Sequence, residues 1–166
     1  SRQTANVSAA LERETRFNGL LEMIWQFVPA HTYALFLREQ RERNEVFTLR
    51  AIKSESDGKF LLPVGTVLDR GKGRGLIEIC AKKKQPQYLS DMTQPHNNLG
   101  YYTDSAQSIP ITSFLVLPVL HQDRTIGVLA VDSLERGAFS FETQDMLTRF
   151  TPFFIQIIEK IQLSLE

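Results

Sequence analysis

Cysteine is almost missing from this chain. Cys80 stands alone among 166 residues, so no internal disulfide framework holds the fold, and the composition fits a reducing compartment. Neither sign of charge is in excess: Lys plus Arg and Asp plus Glu number 19 each, which leaves no net field to attract nucleic acid or an anionic membrane surface. No apolar run approaches the roughly 20 residues that a membrane span needs, and the first residues carry no signal-peptide pattern. Internal repeats and low-complexity tracts are also missing, which favours one domain over residues 1–166. The chain opens without methionine, which reads as a domain excised from a larger protein. Folding at this length buries roughly two-thirds of the unfolded surface, enough for a core without staples. The exclusions together leave a soluble cytoplasmic module.

Hydrophobic periodicity divides what is present into three parts. In residues 1–29, Phe17, Leu20, Leu21, Ile24, Phe27 and Val28 recur at helical spacing, and Pro29 ends the helix. Residues 30–139 read as a sheet with a pocket. Tyr33 to Glu39 and Val46 to Ile52 are strands of a hairpin, with the charged run from Glu39 to Asn44 as a solvated turn. Gly71-Lys-Gly-Arg-Gly75 introduces a short helix over Leu76 to Lys84, and Tyr88-Leu89 is a brief strand whose neighbouring proline suits an edge. Residues 140–166 form a closing helix, with Ser140 as N-cap, Glu142 in the first turn, and Pro152 expected to kink it near Thr148.

The stretch from Ser113 to Ile158 is the most specific. Ser113-Phe-Leu-Val-Leu-Pro-Val119 and Ile126-Gly-Val-Leu-Ala-Val-Asp132 are apolar at consecutive positions, so both strands need cover on both faces, as at the centre of a three-layer domain. With Phe139-Ser140 and the long helix after them, and with Gly71 to Cys80 followed by Gln87-Tyr-Leu-Ser-Asp91, this order resembles a GAF domain over nearly the whole chain. The resemblance implies an α+β fold in three layers. A central antiparallel sheet carries the N- and C-terminal helices on one face, and a short helix plus a loop pocket on the other. A PAS-like domain shares the sheet and the helical flanks, but the Ile126–Asp132 strand leading into a long closing helix favours GAF.

As a family, GAF domains bind cyclic nucleotides, tetrapyrroles, haem, iron centres, amino acids or nothing. The Asn-Lys-Phe-Asp-Glu signature of the cyclic-nucleotide members is missing here, and no cofactor is named by any motif. Cys80 lies in an apolar helix rather than in the pocket region where bilins attach. A single cysteine also falls short of what the free methionine sulfoxide reductases need. Gly71-Lys-Gly-Arg-Gly75 matches neither the P-loop nor the dinucleotide spacing and reads as a turn opening a helix. His31, near a helix exit, and His121, in a hairpin turn, read as exposed or structural, and no metal-ligand pattern stands out. No nucleophile, base and orienter come together, so the expectation is a protein that is not an enzyme.

The irregular segment from Asp91 to Pro110 is the best functional candidate, because long loops in compact domains are functional or disordered. Asp91, His96, Asn97, Tyr101 and Tyr102 are the expected pocket wall, with Phe114 or Val116 as its floor. A mobile flap without a ligand is the competing reading. Excess apolar positions at Val7, Leu11, Phe153, Ile158 and Leu165 point to a helical bundle between two copies. The resemblance thus implies a sensory domain of a bacterial-style signalling protein. It would bind a small molecule beneath residues 91–110 and act through its terminal helices on a covalently linked output domain, such as a kinase, cyclase or transcription regulator. The alternative is a ligand-free GAF domain serving as a structural dimerisation spacer.

Overall fold

The computed structural model describes residues 1–68, 74–92 and 99–165, with residues 74 and 160–165 described by their backbone alone. Helix α1 spans Arg2–Phe27, and the Ser1 hydroxyl accepts from the Thr4 amide at 3.2 Å to cap its start. Strands β1 (Thr32–Arg41) and β2 (Asn44–Ser54) follow as a hairpin. The charged run expected as a loop is mostly strand: Arg41 pairs with Asn44, and only Glu42 and Arg43 turn, with Glu42 at φ 52°. The reason is cross-strand charge pairing. Arg50 Nε and Nη2 both donate to Glu39 at 2.6 Å, and Arg38 Nε lies 2.7 Å from Glu45.

Helix α2 (Arg74–Lys83) and strand β3 (Gln87–Leu89) lead to β4 (Ser113–His121), β5 (Arg124–Ser133) and helix α3 (Phe141–Leu165). The strands form one antiparallel sheet in the order β2-β1-β5-β4-β3, which puts β3 at an edge and β5 at the centre. Each face carries its own core. Phe17, Leu21 and Ile24 of α1 and Leu147 and Phe154 of α3 pack on Tyr33, Leu35, Leu115, Leu117, Leu129 and Val131. On the opposite face, Ile77 and Cys80 of α2 and the chain from Leu99 to Ile111 cover Ala34, Phe36, Leu49, Phe114, Val116, Val128 and Ala130. Alternation along every central strand therefore serves two cores, which is why those strands read as unbroken apolar runs. This is the expected α+β arrangement.

Two local devices shape the frame. Gly127 lies so close to β1 that a Cβ there would stand 2.7 Å from the Phe36 carbonyl oxygen, so only glycine fits without a shift. In α3, Ser140 caps the start, its hydroxyl accepting from the Thr143 amide at 3.2 Å. Pro152 cannot donate to the Thr148 carbonyl, and the Thr151 hydroxyl donates to it instead at 2.8 Å, so the helix runs on through the proline. The terminal helices pack antiparallel: Phe27 meets Phe150 with ring centroids 5.5 Å apart, and Phe17 meets Phe154 at 6.2 Å, further back along α1 and further on along α3.

Candidate functional site

The sheet register builds a polar row into an apolar face. Ser54 stands opposite Thr32, Thr32 opposite Asp132, and Asp132 opposite Phe114, so one line across β2, β1, β5 and β4 carries three polar side chains at the sheet's end. Asp132 is fully buried there. A buried carboxylate is costly without donors, and this one has three. Oδ2 accepts from the hydroxyls of Tyr101 and Tyr102, each at 2.7 Å, and Oδ1 lies 3.0 Å from His31 Nδ1. Facing a carboxylate oxygen, Nδ1 is the donor, and His31 Nε2 lies 3.1 Å from the Ser56 hydroxyl. Thr32 Oγ1 completes the cluster, 2.8 Å from the Tyr102 hydroxyl and 2.7 Å from Ser54 Oγ.

Both tyrosines reach this row from the loop, and the loop is fastened to the neighbouring chain. Leu62 N donates to the Tyr101 carbonyl at 2.9 Å, Thr103 N donates to the Phe60 carbonyl at 2.8 Å, and a 3-10 turn over Asp104–Ser108 follows. The two ring centroids lie 4.8 Å apart with the planes tilted by 41°, and Tyr101 also packs 6.2 Å from Phe36. Burial, and next the Asp132 charge, push both phenols well above their ordinary range, so they remain donors at neutral pH. Cys80 is buried behind the same face with its Sγ 3.7 Å from the Val116 carbonyl, and burial pushes its thiol up to about 12. It supplies no thiolate at neutral pH.

The expected pocket residues are distributed unevenly about this cluster. Tyr101 and Tyr102 point into the core rather than lining an open wall, because Asp132 needs their hydroxyls. Phe114 and Val116 lie on the same face and are buried, which assigns the strand parity that the sequence left open. Asp91 is 41% exposed and pairs with Arg136 at 3.4 Å, outside the cluster. His96 and Asn97 lie outside the described residues. Sequence reasoning passed over Asp132, Thr32, Ser54 and Ser56, and took His31 as exposed or structural; it is structural and buried. The available signal was a carboxylate closing an otherwise unbroken apolar strand at Asp132. Among the described residues, no cluster of His, Cys, Asp and Glu has the makings of a metal site.

A family model described as GAF domain matches residues 12–157. The chain belongs to the GAF domain family. Comparison with curated proteins gave no match. Among solved structures, it is similar to the GAF domain region of a putative membrane protein from Geobacter sulfurreducens PCA, with TM-score 0.69 and 16% identity over 92% of this chain and 97% of that one. The GAF domain of a two-component sensor histidine kinase from Bacillus halodurans gives TM-score 0.67 and 18% identity over 90% and 95%. The type II free methionine-R-sulfoxide reductase from Thermoplasma acidophilum gives 0.68 and 18% over 92% and 96%. That last likeness corrects an expectation. The chain was read as not an enzyme, but GAF-fold proteins of this shape include a reductase, so the reading does not stand. GAF domains are in general sensory and signalling modules that bind small molecules. Among the described residues, no helix is long and apolar enough to cross a membrane.

Proposed function

We propose that this GAF domain, one domain over residues 1–166, is a cytoplasmic sensor in a larger bacterial signalling protein and binds a small molecule beneath residues 91–110. The buried cluster of Asp132, His31, Thr32, Tyr101 and Tyr102 carries this reading. It concentrates oriented donors and acceptors on an otherwise apolar face, the composition of a small-molecule site. In this reading Asp91, His96 and Asn97 belong to the loop over the site, Tyr101 and Tyr102 form its gate, and Phe114 and Val116 form its floor. A ligand that competes for Asp132 releases the tyrosines and acts only through its different affinity for the latched and released arrangements. The sheet then passes the change to α1 and α3. Val7, Leu11, Phe153, Ile158 and Leu165 form a homodimer contact that carries it to a linked output domain.

One observation favours a second reading. Tyr101 and Tyr102 fill the face themselves, with every hydroxyl satisfied, as in a ligand-free spacer whose loop is simply part of the core. Native mass spectrometry of the gently purified protein, compared with its denatured mass, separates the two. Under the sensor reading, a bound mass is released on denaturation and is lost in Asp132→Asn, while the dimer persists. An apo dimer, together with no melting shift from nucleotides, amino acids or haem, sinks the sensor and leaves the spacer.

A further inference from the structure

The cluster at Asp132 continues outward to a hydroxyl that neither the sensor nor the spacer reading uses. His31 faces Asp132 through one ring nitrogen and Ser56 through the other. Nδ1 lies 3.0 Å from Asp132 Oδ1, and Nε2 lies 3.1 Å from Ser56 Oγ. Nδ1 also has the Tyr102 hydroxyl at 3.1 Å and the Thr32 hydroxyl at 3.2 Å, both farther than the carboxylate. Burial falls along this line. Asp132 is fully buried, His31 is 7% exposed, and Ser56 is half-buried between exposed Glu55 and Asp57.

Backbone bonds beside each group hold the line in place. His31 N donates to the Asp132 carbonyl at 2.9 Å, and Glu55 N donates to the His31 carbonyl at 2.9 Å. The Ser56 amide donates to Ser54 Oγ at 3.1 Å, and Ser54 Oγ lies 2.7 Å from Thr32 Oγ1. The turn carrying Ser56 is therefore tied to the entry of β1, and that entry is tied to the end of β5. Support of this kind keeps reacting groups in register. A hydroxyl, an imidazole and a buried carboxylate in that order are a nucleophile, its general base and the orienter of that base. No spacing in the sequence marks them, because they come from three separate segments.

We propose that Ser56, His31 and Asp132 form an acyl-transfer site that hydrolyses activated esters of small carboxylic acids. With Nδ1 donating to Asp132, the neutral imidazole presents the Nε2 lone pair to Ser56. Ser56 Oγ bonds to the ester carbonyl carbon as its proton passes to Nε2. The bond from that carbon to the alcohol oxygen breaks, and the alcohol leaves with the proton. Water then attacks the acyl-serine and gives a proton to Nε2. The bond to Oγ breaks, the acid departs, and Oγ recovers the proton. Ester and water become acid and alcohol, with water the only co-reactant. The Ser56 amide is taken by Ser54 Oγ, so the next donor along the chain for a developing oxyanion is the Asp57 amide, which has no acceptor among the described residues. Losing one such donor costs about 10²–10³-fold in rate, which directs the site to esters whose alcohol leaves readily, such as aryl esters. The line exists with both tyrosines on Asp132, so it does not rest on the sensor reading.

The test uses p-nitrophenyl acetate and a fluorophosphonate probe on the purified protein. Saturable hydrolysis is expected, rising with pH along a single limb as Nε2 gives up its proton, together with a fluorophosphonate adduct on Ser56 by peptide mass. Ser56→Ala should lose the adduct and lower kcat/KM by about 100-fold or more, with a thermal melt to confirm its fold. Asp132 is a positioning residue, acting through His31, so Asp132→Asn should lower kcat by at least as much with KM little changed. The wild-type adduct decides the matter even where a variant unfolds. Hydrolysis no faster than with free imidazole at equal concentration, an adduct elsewhere or none, or a folded Ser56→Ala as active as the wild type would overturn the site. Native mass reports on the sensor and this assay on the serine, so either proposal can fail alone.

Discussion

At the residue scale, Asp132 decides how the loop face is organised. A buried carboxylate that loses one of three donors keeps its desolvation cost, so Tyr101→Phe and Tyr102→Phe should each cost about 1.5–3 kcal/mol by urea denaturation. Asp132→Ala should exceed either, because it strands two phenols and an imidazole together. A loss under about 0.5 kcal/mol in both Phe variants would show that water replaces the hydroxyls and that the latch is weak. Gly127 is the second decisive position. Gly127→Ala pushes a methyl against the Phe36 carbonyl, and overpacking of this kind costs about 1–3 kcal/mol in thermal or chemical melts. Neither role was legible from sequence. Asp132 was visible as a polar end to an apolar strand, but its donors come from residues 30 and more positions away.

At the element scale, the sequence patterns held where a pattern exists. The apolar stripes of α1 and α3, the Ser140 cap and the edge position of β3 all follow from local chemistry. The charged hairpin tip did not, because strand pairing of Glu39 with Arg50 and of Arg38 with Glu45 is a cross-strand property. Burial works to raise the Glu39 carboxyl, but the hydrogen bonds and charge of Arg50, with Arg13, outweigh it and hold Glu39 below its ordinary 4.5. A depressed carboxyl contributes its full stability above the unfolded value and loses it as pH falls through the lower, folded value. Glu39→Gln should therefore lower Tm at neutral pH, by roughly 1 kcal/mol in stability, and lose less than the wild type on acidification below about pH 4.5. Parallel melting profiles for the two proteins would remove this pair from the acid response. In α3, Thr151→Val should cost about 1 kcal/mol, and much less in a Pro152→Ala background, where a backbone amide resumes the bond to Thr148.

At the scale of the whole molecule, the question is what the terminal helices meet. Val7 is 61% exposed, Leu11 60% and Phe153 44%, whereas Ile158 is half-buried against the domain's own core, and the Leu165 side chain lies outside the described residues. The proposed homodimer therefore rests chiefly on the first three. Val7→Ser, Leu11→Ser and Phe153→Ser together should convert a sedimenting dimer to a monomer with its near-ultraviolet signature intact. A wild type that already sediments as a monomer at micromolar concentration would end that proposal.

The amino-acid order alone determined the layers. A strand apolar at every position must be covered twice, and a helix with one apolar stripe must lie on something, so α1, the central hairpin and α3 could be placed before any coordinates. Family membership followed from the same residues. Tertiary structure alone decided where the chemistry collects. Strand register set Ser54, Thr32 and Asp132 in one row, and loop packing turned Tyr101 and Tyr102 inward onto it. The turn after β2 brought Ser56 onto His31. Local propensity acts over a few residues, whereas these sites join groups that meet only once the sheet has formed.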